Sequence, residues 1–116
     1  MHFKLIVALT EDSITNKIVE AARQKGATGS TVISSARGEG IMAAKTFLGL
    51  SLETQRDVVL LLVEEHLSRD ILETLETVGE FEVNPGSGIA FSIDVEDAVG
   101  VANQVSQLSE IVEEEI

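Results

Sequence analysis

The same local order is written twice along this chain. An apolar run leads into an acidic helix start, then an apolar helical stripe, then a strand with glycines at its mouth. The first copy opens on Phe3 to Leu9, a continuous apolar strand broken only by Lys4. Glu11, Asp12 and Ser13 follow as a helix start, with acidic charge near the positive helix end. Ile14, Ile18, Ala21 and Ala22 recur at helical spacing, and the helix is expected to stop near Gly26. Thr31 to Ser35 reads as the second strand, with Val32 and Ile33 on opposite faces. The second copy opens on Val58 to Val63, VVLLLV. Glu64, Glu65 and His66 introduce a helix whose stripe is Leu67, Ile71, Leu72, Leu75 and Val78. Asn84, Pro85 and Gly86 mark a turn, and Ile89 to Val95 alternates as the fourth strand.

Two right-handed β-α-β crossovers of this length predict an α+β, ferredoxin-like fold. It is a split β-α-β unit (βαββαβ) with an antiparallel sheet and both helices on one face. A chain of 116 residues is expected to be a single domain, 1–116. A helical tail over 101–116 places Val101, Val105, Leu108 and Val112 on one stripe. The first and third strands are apolar on both faces, whereas a sheet with one wet face should alternate. Exposing the second face would leave an apolar patch that is rare in soluble monomers. A homo-oligomer that buries this face is therefore expected, and three-fold closure suits such a unit.

Charge and composition narrow the function. A net charge of −12 argues against nucleic acid as a partner, since neutralising phosphates needs clustered Lys and Arg. The same charge opposes an anionic membrane surface. The chain has no cysteine, so thiolate chemistry and disulfides are excluded. No apolar stretch is long enough to span a bilayer and no leader pattern is visible, so a cytoplasmic location is expected. Ser34 and Ser35 lack a positioned base, and no nucleotide-hydrolase or dinucleotide fingerprint appears. Glu64, Glu65 and His66 could gather round a metal, but no second ligand pair has metal-site spacing, and the cluster reads as a helix start. No catalytic residue and no metal ligand is assigned.

Two glycine segments carry the functional signal. Thr28 to Gly40 reads TGSTVISSARGEG, and Gly86 to Val99 reads GSGIAFSIDVEDAV. Only glycine lets backbone approach a ligand or another chain so closely. Both segments resemble the PII signalling family, the nitrogen-regulatory trimers. The first is similar to the stretch that leads into the long T-loop of that family. The second is similar to its B-loop, fourth strand and following turn, with VEDAV at Val95 to Val99 the most specific piece. The resemblance covers about Lys4 to Val101.

The resemblance implies a ferredoxin-like trimer that binds ATP or ADP in clefts between subunits, often with 2-oxoglutarate and magnesium. It implies regulation of a partner protein, in some members a membrane transporter, through the T-loop. Carried over by position, Thr31, Gly38, Gly40 and Leu62 surround the adenine side, while Gly86, Ser87 and Gly88 bring backbone N–H groups to the phosphates. Arg37 is a further candidate contact. The chain departs from the family where phosphate charge is neutralised. A lysine and two arginines are replaced by Ile89, Gly100 and Ala102, and a further arginine by Ile41. Each lost charge-assisted bond costs on the order of 1.5–3 kcal/mol, which turns the expectation toward an adenine nucleotide with few phosphates.

The T-loop-like segment, 41–57, contains no tyrosine, so modification at a tyrosine is excluded there. It holds Ile41, Met42, Phe47, Leu48 and Leu50, more apolar than a solvated loop should be, and Met42, Lys45, Phe47 and Leu48 are its candidate partner contacts. These residues either meet a partner protein or pack locally, with a helical turn over Met42 to Phe47. Arg37, Lys45 and Arg56 either contact anions or answer the acidic surface. The leading expectation is a non-enzymatic, effector-binding regulator in nitrogen or inorganic-carbon metabolism. The alternative is a ferredoxin-like trimer of structural, interaction or metal-tolerance type without nucleotide binding.

Overall fold

The structure is a computed structural model that describes residues 1–36, 46–47, 50–51, 55–103 and 105–107. Its elements are β1 (Phe3–Glu11), a 3-10 turn (Asp12–Ile14), α1 (Thr15–Gln24), β2 (Thr31–Ala36), β3 (Thr46–Phe47), β4 (Leu50–Ser51), β5 (Arg56–Glu64), α2 (Glu65–Gly79) and β6 (Gly88–Asp94). Four strands form one sheet in the order β2-β5-β1-β6, and each neighbouring pair is antiparallel. This is the expected split β-α-β, ferredoxin-like sheet, and the expected order of its four strands and two helices holds, with the two-stranded β3–β4 sheet added between β2 and β5 along the chain.

Alternation sorts the sheet into two faces. Ile6, Ala8, Val59, Leu61 and Val63 are buried beneath the helices, where they meet Ile18 and Ala22 of α1 and Leu67, Ile71 and Leu75 of α2. The residues between them point the other way. Cross-strand rows there run Ile33–Val58–Leu9–Ile89, then Leu60–Val7–Phe91, then Leu62–Leu5–Ile93. Phe91 and Ile93 stay exposed, and Val7, Leu60 and Leu62 are half-buried. No element among the described residues covers these rows. The apolar second face anticipated from the sequence is real.

Differences from the sequence expectation are local. The Asp12–Ile14 stretch forms a 3-10 turn and α1 begins at Thr15, whose buried hydroxyl is drawn to Asp57 instead of capping. The C-terminal end of α1 is closed by backbone bonds from Gly26 N to Arg23 O and Ala27 N to Ala22 O, as expected. Thr46–Phe47 is extended and pairs with Leu50–Ser51, so a helical turn reaching Phe47 is corrected. β-Branched and aromatic residues favour that extended state. The third strand starts at Arg56, two residues earlier than read, which shortens the T-loop-like segment at its end. In the tail, Val105 N bonds Val101 O and both valines pack against the core, whereas Leu108 and Val112 lie outside the described residues.

Candidate functional site

The turn between α2 and β6 is built by a ring and two glycines. Phe81 folds back between Gly79, the last residue of α2, and Gly88, the first of β6. A Cβ on Gly88 would lie 2.5 Å from the Phe81 ring and 2.6 Å from the Leu9 carbonyl oxygen. Gly86 takes φ +84°, which a side chain would resist. Ser87 is buried; its N–H donates to Asn84 O and its hydroxyl to Glu80 O. Glycine at 88 thus answers to packing inside the subunit, and Ser87 holds the turn in shape.

One cation governs this turn from across the sheet. Arg56, the first residue of β5, is 7% exposed and sends its guanidinium over β1. Its two terminal nitrogens donate to Ser87 O at 2.8 Å and Gly86 O at 2.7 Å. The Glu11 carboxylate stands 3.8 Å away, and Nε is buried without a partner. Bonds from a charged fork to two carbonyls are stronger than neutral ones. Of the roles open to Arg56 in the sequence, it makes a carboxylate contact, with Glu11, and it also binds the turn, which the sequence did not suggest.

Asp57, next along β5, is buried on the helix face. It accepts from Thr15 Oγ1 at 2.7 Å and from Ser35 N at 3.3 Å. Thr15 Oγ1 also lies 3.4 Å from Glu11 O. Ser35 sits at φ +60° where the β2–β5 register shifts, a bulge at the end of β2. Arg56 and Asp57 therefore tie three chain segments together at one corner of the sheet. Nothing in the sequence marked a role for Asp57 or Thr15, and Glu11, read as part of a helix start, is instead the last residue of β1. The available signal was an Arg-Asp pair heading an otherwise apolar buried strand, where unpaired charge would be costly.

The other predicted ligand residues lie elsewhere. Thr31 pairs with Leu60 and belongs to the open face on the β2 edge, and Leu62 shares that face. Gly88 pairs with Thr10, a residue buried on the helix face, at the β6 edge. Three interstrand spacings, about 14 Å, separate those edges. One subunit does not bring Thr31 and Leu62 together with Gly86, Ser87 and Gly88. Arg37, Gly38, Gly40, Met42, Lys45 and Leu48 lie outside the described residues, and of Phe47 only the backbone is described. Ile89, Gly100 and Ala102 carry no positive charge.

At α2, Glu64 accepts from His66 N at 2.8 Å and contacts His66 Nδ1. The bond to Glu64, with its charge, raises the His66 pKa above the usual imidazole value. Glu64, Glu65 and His66 offer ligand atoms within 4.8 Å of one another, but Glu64 is engaged as the helix cap. No helix among the described residues is long and apolar enough to cross a membrane.

A four-stranded antiparallel sheet with both helices on one face, an apolar second face and a glycine turn held by charge defines a ferredoxin-like domain of the PII type. The family Nitrogen regulatory protein P-II matches residues 3–104, and the chain belongs to that family. PII proteins are regulatory trimers that bind small effectors and act on partner proteins. No curated protein sequence matches the chain. A PII-like signalling protein of Thermus thermophilus is similar in structure, at 26% identity and TM-score 0.61, covering 82% of this chain and 87% of that one. CPII of Thiomonas intermedia K12, bound to ADP, AMP and acetate, has 17% identity and TM-score 0.65, covering 86% and 92%. The same protein bound to ADP, AMP and bicarbonate has 17% identity and TM-score 0.62, covering 84% and 94%.

Proposed function

We propose that this chain is a regulatory homotrimer that binds an adenine nucleotide with few phosphates in clefts between subunits. The observation that carries this reading is the separation of Thr31 and Leu62 from the Gly86–Gly88 turn. Thr31 on the β2 edge and Leu62 on the interior strand β5 share the open face, whereas Gly88 opens β6 at the other edge on the helix face. A ring of copies, each presenting its β2 edge to the next copy's turn, unites the two sets and buries the open apolar face. The relatives bound to ADP and AMP support the nucleotide class.

The absence of positive charge at Ile89, Gly100 and Ala102 favours AMP or ADP over ATP, because each added phosphate must be neutralised. The turn supplies backbone groups and Arg56 holds them. The T-loop-like segment ahead of β5 then conveys occupancy to a partner protein in nitrogen or inorganic-carbon metabolism. A ligand moves that segment only by binding its alternative states unequally.

Calorimetry with AMP, ADP and ATP, with and without magnesium, bicarbonate, acetate and 2-oxoglutarate, tests the proposal. One AMP or ADP per subunit, bound more tightly than ATP, is the expected result. Silence across all of these would favour the nucleotide-free structural or interaction trimer, the reading that Ser87's inward bonds support.

A further inference from the structure

We propose that Arg56 and Asp57 act as a linking pair that makes the Gly86–Ser87 turn and the Ser35 bulge respond as one unit. A continuous run of contacts joins them. Gly86 O and Ser87 O accept from Arg56. The Arg56 guanidinium faces the Glu11 carboxylate, and Glu11 O is met by Thr15 Oγ1. Thr15 Oγ1 donates to Asp57, and Asp57 accepts from the Ser35 amide. One end is the turn before β6 and the other the bulge at the end of β2, and among the described residues no direct bond joins them.

Arg56 and Asp57 face opposite sides of β5 and share its backbone, and Glu11 gives a second covalent link between the two halves of the run, from its carboxylate to its carbonyl. A shift in the turn carbonyls must be met by Arg56, whose guanidinium is largely buried and has little solvent to turn to. Moving the start of β5 then moves the Asp57 carboxylate that holds Ser35 at φ +60°. Ser35 is not free to follow at will, since a non-glycine residue in the left-handed region persists only while its surroundings fix it. Coupling of this kind is a contiguous network with a strained element at one end.

The pair would matter to the nucleotide reading, on which the ligand arm of the test rests. Residue-resolved amide hydrogen exchange on the full chain supplies the test, followed at Ser87, Ser35 and, as a control, Leu75 in the core of α2. Without ligand, Arg56→Gln should speed exchange about tenfold or more at both Ser87 and Ser35 and leave Leu75 unchanged, the scale of a lost charged hydrogen bond. Asp57→Asn should speed exchange at Ser35 and leave Ser87 protected. Arg56→Lys, which keeps the charge but not the fork, should fall between wild type and Arg56→Gln.

Unchanged exchange at Ser35 in Arg56→Gln overturns the linkage, and so does equal acceleration at Ser87, Ser35 and Leu75. If Arg56→Gln does not fold, Arg56→Lys decides by the same two criteria. With saturating ADP, wild type should gain protection at both ends and Asp57→Asn at Ser87 alone. If ADP protects neither end in wild type, the nucleotide reading fails while the ligand-free comparison still decides the linkage.

Discussion

The two faces of the sheet are made from the same kinds of side chain yet end in different states. Ile6, Val59, Leu61 and Val63 are sealed beneath α1 and α2 at 1% exposure or less. Their immediate neighbours Leu5, Val58, Leu60 and Leu62 are half-buried, and Ile33, Phe91 and Ile93 are exposed. In a monomeric sheet the second set would be polar, because only one face meets a core. The difference teaches that half of the sheet's apolar patterning lies outside the core beneath the helices, and the proposed trimer would give it a use.

The sharpest way to break that comparison is to substitute neighbours in β5. Leu61→Ala empties a fully packed site and should lower stability by about 2–5 kcal/mol in urea denaturation. That is a large share of the roughly 5–15 kcal/mol that holds a domain of this size. Leu60→Asp, one residue away, should keep the helical and strand signals of circular dichroism and abolish the trimer in sedimentation velocity. A Leu60→Asp protein that sediments like wild type would mean that copies of this chain do not cover the open face.

A second contrast of intermediate size sets two glycines against each other. At Gly88 a methyl group would meet the Leu9 carbonyl and the Phe81 ring, and backbone on one side leaves little to yield. Gly88→Ala should cost about 1–3 kcal/mol, the usual scale of overpacking. A methyl on Gly29 would meet nothing within 4 Å. Gly29→Ala should be neutral or slightly stabilising, because it removes freedom from the unfolded chain. Equal effects at the two positions in thermal melts would show that Gly88 is not held by packing. Nucleotide binding in Gly29→Ala also serves as a control for any loss of binding in Gly88→Ala.

The fold was legible because its signals are periodic. LIVALTE and VVLLLV announce strands by composition, and the stripes Ile18–Ala22 and Leu67–Ile71–Leu75 announce helices by spacing. Even the open face could be read, since β1 and β5 do not alternate in polarity. The site was legible only in part. Glycines at 86 and 88 stood out, but a sequence does not say whether a bare backbone position faces a ligand or a ring such as Phe81. Arg56 drew notice as a cation, yet its partners are carbonyl oxygens thirty or more residues away, and carbonyls leave no trace in residue identity. Asp57 was missed for a related reason. Its role depends on Ser35's amide and Thr15's hydroxyl converging from two other elements, which only the register of the sheet decides. No periodic signal reports such a corner.

The smallest effect expected is at the helix cap, and its sign separates it from the packing effects. Hydrogen bonding to Glu64 and its charge raise the His66 pKa above 6.5. A raised folded pKa means that the folded state holds its proton more tightly than the unfolded one. The stabilisation is therefore fully present below about pH 6.5 and is lost as pH rises through the higher folded value. Asp94 behaves oppositely. Lys4 first, then His2, lower its pKa, so its contribution is present above the unfolded carboxylate range and is lost as pH falls through the lowered folded value. Wild type minus His66→Ala, compared by urea midpoint at pH 5.5 and pH 8.5, should differ more at pH 5.5. A proton titration of the His66 ring by NMR should place its midpoint above 6.5. Because His66 is exposed, solvent screens the pair and the change should be modest beside that of Leu61→Ala. A difference that grows toward pH 8.5 would mean that Glu64 caps α2 without the imidazolium's help, leaving the backbone bond from His66 N as the whole of the cap.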